Sequence, residues 1–246
     1  MRTPWSAAFP DVVVHTTVRE RDSHPHYLAA KSGDPDAAFD LAFDLLNHTA
    51  LDPLRDLIDD RRVLLLPVVA DETLGFNAIP DALTQILARD LDQQAIAGEI
   101  VQTNKVGHTR APTFQRIVTP AEFAGPVVAG AFYLLVDDHV GIGGTLASLK
   151  GHVERNGGEV IGMTTLTESR YGRAISLRAE TRTMLWSKHG QPLETFWISQ
   201  FGYGIDCLTE VEAQNLSRQP TVERIETFLA QAAVEASGRG LSPAVG

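Results

Sequence analysis

Two adjacent carboxylates, Asp137 and Asp138, follow the apolar run 132–136 (FYLLV) and precede a loop with almost no side chains, 139–145 (HVGIGGT). A strand that ends in this way before a helix brings two kinds of chemistry to one place. Glycines let backbone N–H groups turn inward, and the unpaired first-turn amides of the helix join them, so main chain alone can hold a phosphate. Thr145 adds a hydroxyl. The carboxylates cannot grip the same phosphate, because like charges repel. They must face something neutral or positive beside it, such as sugar hydroxyls or a magnesium ion. A phosphorylated, hydroxyl-rich, metal-bound ligand meets both demands.

The elements that position this loop follow from periodicity. Continuous runs rich in Val, Ile and Leu at 63–69, 95–101, 131–136 and 159–166 read as strands covered on both faces. Between them lie helical patterns. Asp34 and Pro35 open one over 34–48, Pro80 stands in the first turn of another over 79–91, and Leu146, Leu149 and Val153 share one face of a third that Gly157 and Gly158 stop. Alternating strands and helices predict an α/β fold with a doubly wound parallel sheet, whose ligands bind beyond the carboxyl ends of the strands. After residue 170 the pattern turns mainly helical and reads as a cap. With no linker or repeat, one domain over 1–246 is expected, its core at about 60–170 and its cap at about 10–50 and 171–236. Residues 1–10 and the tail 237–246 read as loose ends.

The thirteen residues 134–146, LLVDDHVGIGGTL, resemble the signature of type I phosphoribosyltransferases that binds phosphoribosyl pyrophosphate (PRPP): four apolar residues, two acidic, then seven small or apolar. The resemblance spans roughly 60–170. It implies that Asp137 and Asp138 contact the ribose hydroxyls and take part in catalysis and magnesium binding, and that Gly141, Ile142, Gly143, Gly144 and Thr145 cradle the 5-phosphate. Relatives often carry an acidic or hydroxyl residue where Gly141 stands and Thr or Ser where Ile142 stands, so side-chain contacts to the phosphate are fewer here. It also implies a pyrophosphate turn at 70–73, where Asp71 would serve the metal and Glu72 the substrate, unless the two are simply exposed turn residues. A mobile loop is expected at 102–117. Its Lys105, His108, Arg110 and Arg116 concentrate positive charge that suits a departing pyrophosphate, although a solvated basic loop would look the same.

The rest of the composition narrows the class. Thirty-one acidic against twenty-one basic residues, a net charge of −10, disfavour nucleic acid and anionic membranes as partners. The single cysteine, Cys207, can form no internal disulfide, no signal-peptide pattern opens the chain, and the apolar runs are too short to span a bilayer, which together suggest a cytoplasmic protein. His139 reads as a supporting residue rather than a metal ligand, His24 and His26 as part of a polar loop, and Trp186, Trp197 and Phe201 more as core than as a platform for a base. The reading is a Mg2+-dependent phosphoribosyltransferase with PRPP and a small nitrogen acceptor as ligands, the acceptor near 166–170. The alternative is a non-catalytic PRPP- or nucleotide-binding regulator on the same fold. PRPP synthesis is a weaker third, lacking an ATP site. The fold is commonly dimeric in relatives, and the sequence leaves a homodimer open.

Overall fold

Five strands pair in parallel in the order β1-β9-β8-β2-β5: Val13–Val14, Glu159–Glu168, Phe132–Val140, Val63–Pro67 and Gln94–Ala95. The computed structural model describes residues 1–246 except 73–74, 107–111, 242 and 245–246, with backbone alone at 71, 72, 75 and 76. Successive strand residues face opposite sides. Leu65, Leu134, Val136 and Ile161 therefore meet α3 (Pro35–Leu45), α4 (Leu51–Ile58) and α5 (Ile79–Asp90), while Leu66, Tyr133, Leu135 and Met163 meet α7 (Gly144–Arg155). With a buried core on each side, the sheet is doubly wound, as its unbroken apolar runs require.

The helices start and stop where their side chains dictate. Asp34 accepts from the amides of Asp36 and Ala37 at the start of α3, with Pro35 at its first position. In α7 the expected stripe of Leu146, Leu149 and Val153 is buried, and Gly157 turns the chain with φ 90°. Three further helices, α8 (Ala179–Phe201), α9 (Glu210–Ser217) and α10 (Val222–Gly238), pack with α6 (Thr113–Val118) around a second core that includes Leu185, Trp197, Leu216 and Leu229. The helix α8 is bent at Gly190, whose φ of 49° and ψ of −146° are not helical, with Pro192 just beyond. Trp197 and Phe201 pack against each other in this core with tilted rings whose centroids are 4.4 Å apart, whereas Trp186 is exposed.

Three expectations need correction. The strand anticipated at 95–101 ends at Ala95. Gly98, with φ 78°, turns the chain, and Val101–Gln102 (β6) pairs instead with Phe123–Ala124 (β7) in a separate antiparallel ribbon. Another such ribbon joins Asp71–Glu72 (β3) to Gly75–Phe76 (β4). Residues 1–10 are not loose: Arg2 is buried in a bidentate pair with Glu212, and Gly151 lacks the Cβ that would strike Met1 and Arg2, so the chain start lies directly on α7. Nor is the tail free, since α10 continues to Gly238 and the Ala244 amide donates to the Val118 carbonyl at 2.6 Å.

Candidate functional site

A crevice opens where two neighbouring strands stop at different heights. Beside β8, β2 pairs only as far as Pro67↔Val136, while β9 continues to Val140↔Glu168. The aspartates therefore lie inside β8, paired on one edge and facing a cavity of about 760 Å³ on the other. That cavity gathers Asp137, Asp138, the loop 141–145, Lys105 and Arg116. It also gathers residues that sequence reasoning missed: Arg21 and Asp22 from α1 (Val18–Ser23), Tyr27 and Lys31 from α2 (Tyr27–Lys31), and Arg239 at the end of α10.

The glycine loop leads into an open helix end. Gly143 is the residue before α7, in the left-handed region with φ 82°, and no side chain caps the helix. The amides of Gly144 and Thr145 precede any intrahelical acceptor, so their partial positive charge is offered to the cavity. What holds the loop is behind it: Thr209 Oγ1 donates to the Ile142 carbonyl at 2.6 Å, and Ile175 and Thr209 fill the space where a Gly143 Cβ would be. Ile142 packs towards the helical core, so it offers the ligand main chain only. A Cβ at Gly141 would stand 2.5 Å from Arg116 Nη1, which places the guanidinium directly over the loop. Burial pulls the Arg116 pKa below its ordinary value.

The two carboxylates are inequivalent. Lys31 Nζ donates to Asp138 Oδ2 at 2.8 Å, and the Asp138 amide donates to Asp137 Oδ1 at 2.8 Å. Burial and then the neighbouring Asp138 charge raise the Asp137 pKa well above the usual carboxylate value. Burial also acts against an ionised Asp138, but Lys31 and Arg21 outweigh it and hold that carboxyl below its usual value. The pair thus presents one carboxylate with its cation and one carboxyl that keeps its proton more readily. Such a pair can accept from one hydroxyl and donate to another.

His139 is pinned beside them. Thr167 Oγ1 donates to the Asp138 carbonyl and so accepts from His139 Nδ1 at 2.9 Å, leaving Nε2 to accept from Ser169 Oγ at 2.9 Å. Arg21 Nη1 also donates to Thr167 Oγ1, at 2.9 Å. Burial lowers the His139 pKa, which favours this neutral ring as a support.

Other expected residues fall elsewhere. His108 and Arg110 lie outside the described residues, as do the side chains of Asp71 and Glu72, although neighbouring Ala70 lines the cavity. His24 and His26 face Asp44 at 3.2 Å and Asp40 at 3.9 Å, and among the described residues no group of three ligating side chains could hold a metal. For magnesium the donor set is poor at the aspartates themselves, since Lys31 already stands against Asp138 and Asp137 is biased towards its protonated form. No helix among the described residues is long and apolar enough to cross a membrane.

Lys31 and Arg21 carried no local signal because they lie more than a hundred residues from the aspartates they serve. Overall, Arg21, Lys31, Lys105, Arg116 and Arg239 face the cavity against Asp22, Asp137 and Asp138, a positive excess in a protein of net charge −10.

No family model matches the chain. It is 36% identical over 238 residues to Protein TraN of Escherichia coli, an alignment that takes in 97% of this chain and 53% of that protein. Over 153 residues it is 37% identical to an uncharacterized protein of Haemophilus influenzae, covering 62% of this chain and 34% of the other. The chain thus spans about half the length, or less, of these curated relatives. Among solved structures, an adenine phosphoribosyltransferase aligns with 56% of this chain and 72% of its own at 17% identity and a TM-score of 0.33. The orotate phosphoribosyltransferase of Mycobacterium tuberculosis aligns with 60% of this chain and 69% of its own at 20% identity and a TM-score of 0.31. The α/β assignment rests on the strand order and register themselves.

Proposed function

We propose that the chain binds PRPP and transfers its ribose 5-phosphate to a nitrogen acceptor, releasing pyrophosphate. The observation that carries this reading is the convergence, in one cavity, of an uncapped helix start, a buried aspartate pair and a cationic wall. A sugar phosphate with a second, more highly charged end asks for those three features together. In this proposal the amides at 141–145 hold the 5-phosphate, and Asp137 and Asp138 hold the ribose hydroxyls. Lys105 and Arg116 face the leaving pyrophosphate, joined by the loop at 102–117 that includes His108 and Arg110. Departure of pyrophosphate leaves positive charge on the ribose ring, so fixed donors on the leaving group and an ionised carboxylate near the sugar both lower the barrier. Magnesium enters the proposal as a counter-ion of the pyrophosphate, and no step depends on its ligation by the chain.

One observation favours the second reading, a binding protein without turnover: Ile142 points into the helical core and Gly141 has no side chain, so the loop offers no side-chain donor there. Two measurements separate the readings. Calorimetric titration of PRPP with magnesium should give saturable binding, and no binding at millimolar ligand would overturn the shared claim. Pyrophosphate release assayed across a panel of nitrogen bases should show turnover with at least one; tight binding with no release for any base would leave the regulator.

A further inference from the structure

The tail that follows α10 is built into the wall of the cavity that holds the glycine loop. Arg239, Gly240 and Leu241 line it together with the loop 141–145. A complete glycine cap sets their path. Gly240 lies in the left-handed region with φ 74°, its amide donates to the Ser237 carbonyl at 3.0 Å, and the Leu241 amide donates to the Ala236 carbonyl at 3.1 Å. Leu241 then packs on the helical core, the same core that receives Ile142 of the loop. Further on, the Ala244 amide ties the tail to Val118 at the end of α6. The backbone that carries Arg239 is therefore held at both ends.

The Arg239 side chain is aimed by a neighbour that leaves its charge intact. Its Nη1 donates to Gln115 Oε1 at 3.3 Å, and Gln115, 8% exposed, donates from Nε2 to Glu235 Oε2. Only this orientation of the amide suits both partners, since a carboxylate accepts and a guanidinium donates. Glu235 stands four residues before Arg239, the spacing at which an acid and a base on one helix pair. Among the described residues the two make no ion pair, because the Gln115 amide stands between them. Arg239 thus uses one donor on a neutral oxygen and keeps the others, with a full positive charge, at the cavity.

The loop itself lacks that charge. Its amides offer a phosphate hydrogen bonds and a partial dipole, while Gly141 and Ile142 bring no side-chain donor and Thr145 brings a neutral hydroxyl. Gln115 is the residue before Arg116, whose guanidinium stands over Gly141. Bonded to Gln115, Arg239 therefore belongs to the loop's side of the cavity, across from Lys31 and the aspartates. We propose that Arg239 is a substrate-binding residue that supplies the counter-charge of the 5-phosphate, with Gln115 as the positioning residue that keeps it from Glu235. The inference rests on the reading of 141–145 as a sugar-phosphate cradle, and it makes the tail part of the site.

Calorimetric titration of the full chain with ribose 5-phosphate and, separately, with PRPP and magnesium tests the assignment. Arg239→Gln should weaken both ligands about tenfold, as loss of one charge-assisted contact does, and Arg239→Lys should recover most of that affinity. The melting temperature of Arg239→Gln should fall by no more than about 2 °C, because the side chain is exposed. Gln115→Met should weaken both ligands although Arg239 is present, since Glu235 is then free to pair with it. The double variant Gln115→Met, Glu235→Gln should restore them, a pattern that lost stability alone would not give. If Gln115→Met fails to fold, the Arg239 variants still decide. Unchanged ribose 5-phosphate affinity in Arg239→Gln overturns the proposal, as does a loss confined to PRPP, or no ribose 5-phosphate binding by the unaltered chain at about 10 mM. Ribose 5-phosphate binding that depends on Arg239, in a chain that does not bind PRPP, would sustain the proposal and remove the transfer reaction.

Discussion

The chemistry of the candidate site turns on how Lys31 divides two neighbouring carboxyl groups. Asp137 holds its proton to higher pH in the folded chain than an ordinary carboxyl does. Between the unfolded value, about 3.9, and that higher folded value, the native state binds a proton that the unfolded state has released, so stability falls as pH rises through the window. Asp137→Asn keeps the Oδ1 that accepts from the Asp138 amide and removes this loss. Its melting temperature should exceed that of the unaltered chain at pH 7 and approach it at pH 4; a lower value at pH 7 would defeat the assignment. Asp138 behaves in the opposite sense, since its folded pKa is depressed and its contribution is present above the unfolded value and lost as pH falls through the folded one. Lys31→Met removes the counter-charge at 2.8 Å from a 7%-exposed aspartate. Breaking buried pairs costs about 3–5 kcal/mol, and the partial exposure of Lys31 lowers the expected cost to about 2 kcal/mol at pH 7. Thermal melts across pH 4 to 7 (roughly the carboxyl titration range) check both signs, with the Lys31→Met deficit shrinking towards the acid end.

At the scale of elements, the strand, loop and helix around 134–146 were legible because everything that defines them is local. The buried run, the paired acids and the glycines stand in order, and Leu146, Leu149 and Val153 repeat at helical spacing. Partners contributed by distant segments were not legible: Lys31 lies 107 residues before Asp138, and Arg239 comes from a tail whose composition reads as a loose end. The same blindness produced the false strand at 95–101, where apolar content was visible but the turn at Gly98 was not. The loop's two glycine requirements can be told apart by substitution. A methyl group at Gly141 meets the end of the Arg116 side chain, which can swing away, so Gly141→Ala should leave the melting temperature nearly unchanged. It should nevertheless weaken PRPP binding by about tenfold through displacement of that guanidinium from the pyrophosphate. At Gly143 the methyl would meet Ile175 Cγ1 at 2.9 Å on a backbone with φ 82°. Gly143→Ala should therefore cost about 1–2 kcal/mol of stability in a denaturant titration, because the left-handed conformation penalises any Cβ. Equal stability of the two variants would contradict this division of labour.

Across the whole molecule, the phosphate loop is the point at which three distant parts of the chain are tied together. Arg2 reaches Glu212 of α9 at 2.6 and 3.0 Å, its guanidinium stands 3.0 Å from where a Gly144 Cβ would be, and Glu212 also accepts from the Thr209 amide at 3.0 Å. Thr209 in turn holds the Ile142 carbonyl. Burial works against a charged Arg2, but Glu212 opposite it more than offsets this and raises its pKa above the ordinary value. The arrangement makes the start of the chain and the helical cap jointly responsible for the shape of a loop that neither belongs to. Arg2→Met should leave Glu212 buried and uncompensated, at a cost of about 3–5 kcal/mol. In Arg2→Met, Glu212→Gln the stranded charge is gone while Gln can still accept from the Thr209 amide, so stability should recover by about half of that loss. If the tie acts on the site, the single variant should also bind ribose 5-phosphate more weakly at a temperature where it remains folded, and the double variant should regain part of that affinity. A single variant that melts lower but binds with undiminished affinity would show that Arg2 supports the cap alone and that the loop keeps its form without it.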